Sequence, residues 1–239
     1  MDAILFSAVP HSLVVRVTLL SYTKDAERLC AAAAHSCYSE KPASELMDEW
    51  TEKKGERWLG SPLDSGHHSV IEHANYTFSI EGVSRATTHQ LVRHRLASFS
   101  QQSQRYVDMK NAEYVVPESI AADPELEKRF RALMDKIWEE YRALSEKVPV
   151  EDARYVLPNA CTTNITVTMN ARELWHFFEL RTCRRAQDEI RAVADEMLRL
   201  AQEASPFIFK RAGPPCISKG KCSEGRMSCG KPRTELKRA

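Results

Sequence analysis

The 239-residue sequence contains few of the residues that build flexible or repetitive proteins, with only eight glycines and eleven prolines. These small numbers exclude long flexible linkers and low-complexity repeats. No apolar run approaches the length of a bilayer-spanning helix, and the opening segment MDAILFSAVPHSLVVRV has no basic start, so we expect neither a membrane span nor a signal peptide. The apolar residues, 43% of the chain, suffice for a globular core.

The spacing of the glycines excludes the two common nucleotide-binding loops. No two glycines stand at positions i and i+2, so the dinucleotide fingerprint G-x-G-x-x-G is absent. Three glycine pairs have the G-x4-G spacing: Gly55 with Gly60, Gly220 with Gly225, and Gly225 with Gly230. None of them is followed by the Lys-Ser or Lys-Thr of a phosphate-binding loop. Any nucleotide site in this protein therefore has to be built without either glycine cradle.

Cysteine count and charge distribution indicate the compartment and the domain boundaries. Seven cysteines are an odd number in a chain large enough to fold without disulfides, which favours the cytoplasm. The net charge of +1 conceals a tail from Lys210 onward with nine basic and two acidic residues, against 25 basic and 31 acidic residues before it. We predict one domain over residues 12–210 and a basic, cysteine-containing tail over residues 211–239.

Hydrophobic periodicity predicts an α+β fold. Period-two patterns indicate strands over residues 76–81 and 164–169, and the β-branched, apolar residues 13–21 indicate a further strand. The alanine-rich residues 25–37 and the polar residues 43–54 indicate helices, and Ser84 can cap another helix that runs to about residue 96. Period-3.6 patterns indicate helices over 171–204, with a polar interruption at 181–185, and over 125–147, whose apolar stripe is Leu126, Phe130, Leu133, Ile137, Tyr141 and Leu144. A Ser/Pro/Asp/Gly-rich stretch at 60–66 indicates a loop. Because strands and helices do not alternate regularly, we expect an antiparallel or mixed sheet with flanking helices.

The densest polar segment of the chain runs from Arg93 to Tyr106. It holds three arginines, one histidine, three serines and three glutamines, and no acidic residue. A solvated helix end followed by a loop is the ordinary explanation of such a segment. Cationic guanidinium groups and neutral amides without acidic partners are also what a bound phosphate and the edge of a heterocycle would need.

Four ordered blocks resemble the signature of the flavin-dependent thymidylate synthases. The central block is Arg93-His94-Arg95, followed after seven residues by Ser103 and then Arg105-Tyr106. The other three blocks are Gly66-His67-His68-Ser69-Val70-Ile71-Glu72-His73, Arg154-Tyr155-Val156-Leu157-Pro158, and Asn170-Ala171-Arg172 with His176 and Leu180-Arg181. Ser69 and Gln101 stand where the family pattern has Thr and Glu. Four blocks in family order and spacing make a chance match improbable.

The resemblance implies the fold of the thymidylate synthase complementing proteins, a homotetramer with active sites shared between subunits, and a defined reaction. Such enzymes convert dUMP to dTMP, taking the one-carbon unit from methylenetetrahydrofolate and the hydride from reduced FAD, which NADPH regenerates. No membrane partner is implied, and a nucleic-acid partner is not expected.

The resemblance also implies roles for individual residues. Arg181 matches the catalytic position, where a fixed guanidinium near the uracil would activate C5 of the ring. Positions matching the FAD site are Ser69, Arg93, His94, Arg95, Gln101, Asn170, Arg172 and His176. Positions matching the dUMP site are Gln90, Arg93, Gln102, Ser103, Gln104, Arg105, Arg154 and Arg181. Ser103 has no visible acid–base partner in the sequence, so we interpret it as a hydrogen-bond donor and not as a nucleophile.

Histidines and cysteines raise the question of a metal, and the spacing argues against one. Five of the eight histidines lie within 28 residues, but no H-E-x-x-H motif is present and His68 and His73 are off a single helical face. In the tail, Cys216, Cys222 and Cys229 resemble part of a zinc site, and no histidine follows them to serve as a fourth ligand. We therefore predict no metal and a loosely packed tail with free thiols.

Two other functional classes stay open at this stage. A basic-tailed module could use the arginines on nucleic-acid phosphates, which predicts salt-sensitive binding and a colourless protein. A zinc hydrolase predicts stoichiometric metal. The flavoenzyme predicts a yellow protein, so a visible spectrum separates the three.

Overall fold

The computed structural model describes residues 15–233. The four strands are β1 (Arg16–Tyr22), β2 (Asn75–Ser84), β3 (Ala97–Gln101) and β4 (Thr162–Asn170). The eleven helices are α1 (Ala26–Ser36), α2 (Ala43–Asp48), α3 (Glu52–Asp64), α4 (Arg85–Leu91), α5 (Glu118–Ala121), α6 (Pro124–Ser145), α7 (Val150–Ala153), α8 (Ala171–Arg181), α9 (Asp188–Ala204), α10 (Pro206–Phe209) and α11 (Pro215–Ser218). Short 3₁₀ turns cover His68–Ile71, Arg154–Val156 and Gly225–Met227.

The strands form one antiparallel sheet in the order β1-β2-β4-β3, which confirms the predicted α+β class. The threonine hydroxyls of Thr77 and Thr168 lie 2.9 Å apart across the β2–β4 pair, and the Ala171 N–H donates to the Ala74 carbonyl at 2.8 Å. The predicted alternation of β2 is also confirmed, because Tyr76, Phe78 and Ile80 are fully buried. One face of this strand therefore belongs to the core.

The chain divides into two compact units, and the first contains residues 80–93 and 100–166 with the start of the described chain. Its core packs around α6, where Met134, Trp138 and Tyr141 are buried. The indole N–H of Trp138 donates to the Met109 carbonyl at 3.1 Å, so this buried polar group has a partner. The Asp123 carboxylate caps α6 by accepting from the N–H groups of its first turn.

The second unit contains residues 17–79, 94–99 and 167 onward. Helices α1, α8, α9 and α10 build its core, with the aromatic rings of Phe177, Phe178 and Phe209 fully buried. The hydroxyl of Tyr76 donates to Ser205 at 2.7 Å within this core. The predicted boundary between residues 210 and 211 stays a prediction, and residues 211–233 pack within this unit.

Three local predictions from the sequence were wrong. The predicted loop at 60–66 is mostly helical, because α3 continues to Asp64 with Pro62 in its last turn. The helix expected to reach residue 96 ends at Leu91, and the polar segment after it forms strand β3. The helix predicted over 43–54 is split between α2 and α3. The interruption at residues 181–185 does separate two helices, α8 and α9, as the polar cluster suggested.

Candidate active site

Strand β3 and the turn after it present the glutamine- and serine-rich segment in the first unit. The Gln101 amide donates to the Thr88 hydroxyl at 3.0 Å, and that hydroxyl donates to the Arg85 carbonyl. The Gln102 N–H donates to the Asn164 carbonyl at 2.9 Å. Since the proton of Thr88 is already donated, an amide at position 101 fits this contact better than a carboxylate would.

Ser103 begins the turn that follows β3. Its hydroxyl oxygen accepts from the Arg105 N–H at 3.2 Å, and its carbonyl accepts from the Val107 N–H at 3.0 Å. Ser103 is half-buried and its side chain is held by this turn. Its hydroxyl group can therefore donate a hydrogen bond from a fixed position. Gln104 is buried, and its amide donates to the Cys161 sulphur at 3.7 Å, which gives this predicted substrate residue a structural contact.

One glutamate organises two arginines of the predicted substrate site. The Arg105 Nε donates to the Glu151 carboxylate at 2.9 Å, and the Arg154 Nε donates to the Glu151 carbonyl at 3.1 Å. Both members of the Arg105–Glu151 pair are about half exposed, so the pair contributes little to stability. It holds the guanidinium at the surface until a more highly charged group, such as a phosphate, competes for it.

Helix α8 carries the site residues of the second unit. The Asn170 side chain caps it by accepting from the Glu173 N–H at 2.9 Å. The helical repeat then places Glu173, Phe177 and Arg181 along one side of α8, spaced four residues apart. The apolar residues between them anchor the helix in the core, so the polar ones hold fixed positions.

The carboxylate of Glu173, the imidazole of His94 and the guanidinium of Arg181 lie in a row, with the first two buried and Arg181 half-buried. The Arg181 Nε–H donates to His94 Nε2 at 3.2 Å, so the imidazole proton resides on Nδ1. That Nδ1 faces the Glu173 Oε1 at 3.6 Å, an electrostatic contact longer than a hydrogen bond. His94 is 4% exposed and Glu173 is 6% exposed.

Burial sets the protonation state of this chain of residues. It lowers the pKa of His94 to about 4, helped by the positive charge of Arg181 and by His176, so the imidazole is neutral at pH 7. Burial also raises the pKa of Glu173 above its usual range. It lowers the pKa of Arg181, whose guanidinium nevertheless stays charged. The neutral imidazole of His94 therefore accepts a hydrogen bond that fixes the plane of the charged Arg181 guanidinium.

A cavity of about 520 Å³ lies beside α8 in the same unit. It is lined by His68, Glu72, Leu96, Asn170, Arg172, Glu173, Trp175, His176 and Glu179. Arg172 pairs with Glu72 across it. The His68 ring lies 4.8 Å from the ring of Trp175, and burial lowers the pKa of His68. Three of the predicted FAD residues, Asn170, Arg172 and His176, therefore share one cavity.

The remaining predicted residues occupy less defined positions. Arg93 and Arg95 are exposed and flank the buried His94. The side chains of three consecutive residues point in different directions, so they have different surroundings. Ser69 is exposed in the 3₁₀ turn before β2, and Gln90 is half-buried on α4. The structure thus groups the predicted site residues into one set in each unit.

Sequence reasoning missed three carboxylates that position the predicted residues. Glu72 pairs with Arg172, Glu151 with Arg105, and Glu173 lies against His94. A usable signal existed for Glu173, which lies three residues after the helix cap Asn170 and so on the same side of α8. Glu72 lies within the histidine-rich block 66–73, so its position in that block was a second signal. The sequence carried no signal for Glu151.

No helix within residues 15–233 is long and apolar enough to cross a bilayer. In the same range, no three side chains of His, Cys, Asp or Glu already lie close enough together to share a metal ion.

Comparisons with known proteins agree with the family resemblance of the sequence. The family model described as thymidylate synthase complementing protein matches residues 18–207. A protein of Geobacter sulfurreducens named flavin-dependent thymidylate synthase is 50% identical over 227 residues, covering 94% of this chain and 97% of its own length. Proteins of the same name from Clostridium tetani and Pyrococcus furiosus are 45% and 46% identical, over 91% and 88% of this chain and 94% and 90% of their own lengths.

These matches span nearly the whole chain and favour the enzyme over the nucleic-acid-binding alternative. The chain belongs to the thymidylate synthase complementing protein family, whose matched members are named flavin-dependent thymidylate synthases.

Proposed function

We propose that this protein is a flavin-dependent thymidylate synthase that methylates dUMP to dTMP, with methylenetetrahydrofolate as one-carbon donor and FAD, reduced by NADPH, as cofactor. Family membership supports the reaction. The observation that carries the local mechanism is the hydrogen bond from the half-buried Arg181 to the buried, neutral His94.

The residues around the α8 cavity fit the chemistry of FAD. A volume of about 520 Å³ is in the range of cofactor pockets. The indole of Trp175 and the side chain of Leu96 offer apolar surface, while Asn170, Arg172 and His176 offer hydrogen-bond donors. The carboxylates of the lining suit hydroxyl and amino groups, and the exposed guanidinium groups of Arg93 and Arg95 suit phosphates. When bound, FAD supplies the hydride that completes the methyl group.

Arg181 is the residue to which we assign activation of dUMP. C5 of uracil is a weak nucleophile, and a cation held near the N3/O4 side of the ring withdraws electron density or stabilises a negative charge there. Since His94 Nε2 accepts from Arg181 Nε, the guanidinium plane is set before the substrate arrives. A preorganised cation does not have to reorient during the reaction, which lowers the barrier.

Arg105 and Arg154 are assigned to the phosphate of dUMP, together with Ser103. Glu151 holds Arg105 through its carboxylate and Arg154 through its carbonyl, so the two guanidinium groups share one anchor. A phosphate carries more negative charge than a carboxylate and can replace Glu151 as the partner of Arg105. The hydroxyl of Ser103 adds a neutral donor from the neighbouring turn.

A homotetramer with shared active sites completes the proposal. Three large side chains directly follow predicted site arginines and are mostly exposed: Leu96 (71%), Tyr106 (79%) and Tyr155 (83%). Apolar and aromatic side chains at a substrate site are normally covered. A second subunit that covers them would complete the site. The odd number of cysteines supports the assignment to the cytoplasm.

The decisive test is the visible spectrum of the purified protein together with tritium or mass-spectrometric detection of dTMP. We expect a yellow protein with flavin absorption and dTMP formation that requires dUMP, methylenetetrahydrofolate and NADPH. A colourless protein that binds nucleic acid in a salt-sensitive way would overturn the proposal.

Arg95→Ala tests the flavin site directly. We expect this variant to lose bound FAD and keep its fold, because the change removes a phosphate-binding cation from an exposed position. Arg129→Ala, an equally exposed arginine on α6, is the matched control and should retain FAD. Stoichiometric flavin in the Arg95→Ala protein would remove this residue from the site.

A further inference from the structure

The segment after α10, here called the cysteine loop and spanning residues 213–233, is folded without a hydrophobic core. No residue between Pro215 and Arg233 is buried, although the segment contains α11 and a 3₁₀ turn. A short segment in which no side chain is fully buried requires another source of stability, such as a disulfide or a structural metal ion. The catalytic function does not explain how the cysteine loop is stabilised.

Ion pairs tie the ends of the cysteine loop to the helices. Arg233 donates to both carboxylate oxygens of Asp195, at 2.8 and 3.1 Å. At the other end, Lys219 pairs with Glu179 at 2.9 Å. Between these two anchors, Arg185 pairs with Glu224 at 3.0 Å. These partly exposed contacts position the loop, but surface ion pairs alone stabilise a fold weakly.

Four cysteines surround a small cavity inside the loop. Cys216, Cys222 and Cys229 come from the loop itself, and Cys183 comes from the turn between α8 and α9. The volume of the cavity is about 20 Å³, which is the space of a single small ion or water molecule. The sequence supplied three thiols without a fourth ligand, and the tertiary structure supplies the fourth.

Backbone groups contact two of the sulphur atoms. The N–H of Arg233 donates to the Cys216 sulphur at 3.3 Å, and the N–H of Lys231 donates to the Cys229 sulphur at 3.4 Å. The cavity lining has one acidic side chain, Glu224, and four basic ones, Arg184, Arg185, Lys231 and Arg233. The basic side chains offset the double negative charge that a divalent cation with four thiolates would carry.

We propose that Cys183, Cys216, Cys222 and Cys229 bind one structural Zn²⁺ ion. Four thiolates in tetrahedral arrangement are the typical ligand set of structural zinc. Within residues 15–233 no three potential ligands yet lie at metal-binding separations, so binding requires the thiols to rotate inward about χ1. The ion would join the C-terminal segment to the chain two residues after Arg181, at the end of α8.

The first experiment measures zinc by mass spectrometry in the full-length protein purified without chelators from zinc-supplemented cells. We expect about one zinc per chain, and a loss of at least fivefold in Cys183→Ser and in Cys229→Ser. Cys37→Ser is the matched control, because Cys37 is exposed and lies outside the cavity; it should keep its zinc. Full zinc content in Cys183→Ser would overturn the four-cysteine site.

A second experiment needs no variant and so does not depend on how the variants fold. An organomercurial displaces the zinc of the wild-type protein in the presence of a coloured zinc indicator, while the reactive thiols are counted. We expect zinc release to follow modification of four thiols. A protein that contains no zinc, contains iron instead, or holds these cysteines in two disulfides would overturn the proposal. Since zinc is measured apart from flavin and dTMP, the outcome is independent of the proposed catalytic function.

Discussion

At the scale of single residues, the neutral state of His94 is the feature on which the local chemistry depends. A protonated imidazole would repel Arg181 and would lose the lone pair that accepts the Arg181 Nε–H. Burial prevents this by lowering the pKa of His94 to about 4. The orientation of the predicted catalytic arginine is therefore a consequence of packing around a histidine.

Arg181→Lys separates binding from chemistry. Lysine keeps the charge but loses the planar group that His94 orients, so transition-state stabilisation should suffer more than ground-state binding. We expect the variant to retain FAD and its reduction by NADPH, and to lose dTMP formation roughly a hundredfold or more. The measurement is single-turnover oxidation of the reduced enzyme by dUMP and methylenetetrahydrofolate, with dUMP affinity determined separately. A wild-type rate would exclude Arg181 as the catalytic residue.

The pKa of His94 predicts how stability changes with pH. Because the folded pKa of about 4 lies below the ordinary value of 6.5, the unfolded chain binds more protons than the folded one between these values. The free energy of unfolding should therefore fall as the pH drops through this window. From pH 7.5 to 5, the His94 contribution amounts to roughly 2 kcal/mol.

His94→Gln isolates this contribution from that of the carboxyl groups. Urea unfolding of both proteins at pH 7.5 and at pH 5 gives the comparison, since glutamine does not titrate. We expect the wild type to lose roughly 2 kcal/mol more than the variant over this range. An equal loss in both proteins would show that His94 titrates normally.

At the scale of elements, α8 combines a structural and a functional task. Its cap residue Asn170 also lines the 520 Å³ cavity, and its C-terminal residue is Arg181. Helix α6, in contrast, is capped by Asp123 at a position that no predicted site residue shares. Loss of the Asp123 cap should therefore affect stability alone, whereas loss of the Asn170 cap should affect both stability and ligand binding.

Replacing each cap by alanine makes that comparison. Asn170→Ala and Asp123→Ala should each lower the free energy of unfolding by about 1 kcal/mol, because each leaves a first-turn N–H without its side-chain acceptor. Only Asn170→Ala should also weaken FAD binding, measured by titrating the flavin-free protein. Equal FAD affinity in both variants would place Asn170 outside the cofactor site.

At the scale of the whole molecule, the proposed tetramer accounts for exposed side chains that one chain leaves uncovered. On α6, Leu126 and Leu133 belong to the apolar stripe of the sequence but are 46% and 53% exposed. Together with Leu96, Tyr106 and Tyr155, they offer apolar surface to other subunits. Light scattering should accordingly give the mass of four 27.2 kDa chains.

Mixing two inactive variants tests whether subunits share active sites. Arg105→Ala and Arg181→Lys should each be inactive alone, whereas co-expression should restore part of the activity. Restoration follows because some sites in mixed assemblies receive both wild-type residues from different chains. Each variant co-expressed with a tagged copy of itself is the control. Mixed tetramers without activity would indicate that each chain carries a complete site.

The sequence alone determined the features that depend on local pattern. The alternation around Tyr76 and Phe78 identified β2, the Ser84 cap located the start of α4, and four ordered blocks identified the family. Periodicity was less informative on α6. There the predicted stripe contains the buried Tyr141 but also Leu133, which is exposed. The structure buries Met134 and Trp138 as well, because both faces carry apolar residues and packing chooses between them.

Only the tertiary structure decided which distant residues meet. Glu173 and Arg181 lie about 80 residues beyond His94 in sequence, yet both contact its imidazole. Cys183 likewise reaches the cavity of Cys216, Cys222 and Cys229 from another part of the chain. Periodicity and propensity describe neighbours within a helix or strand. Contacts across long separations depend on how the elements pack, since packing sets the burial and charge that each side chain experiences.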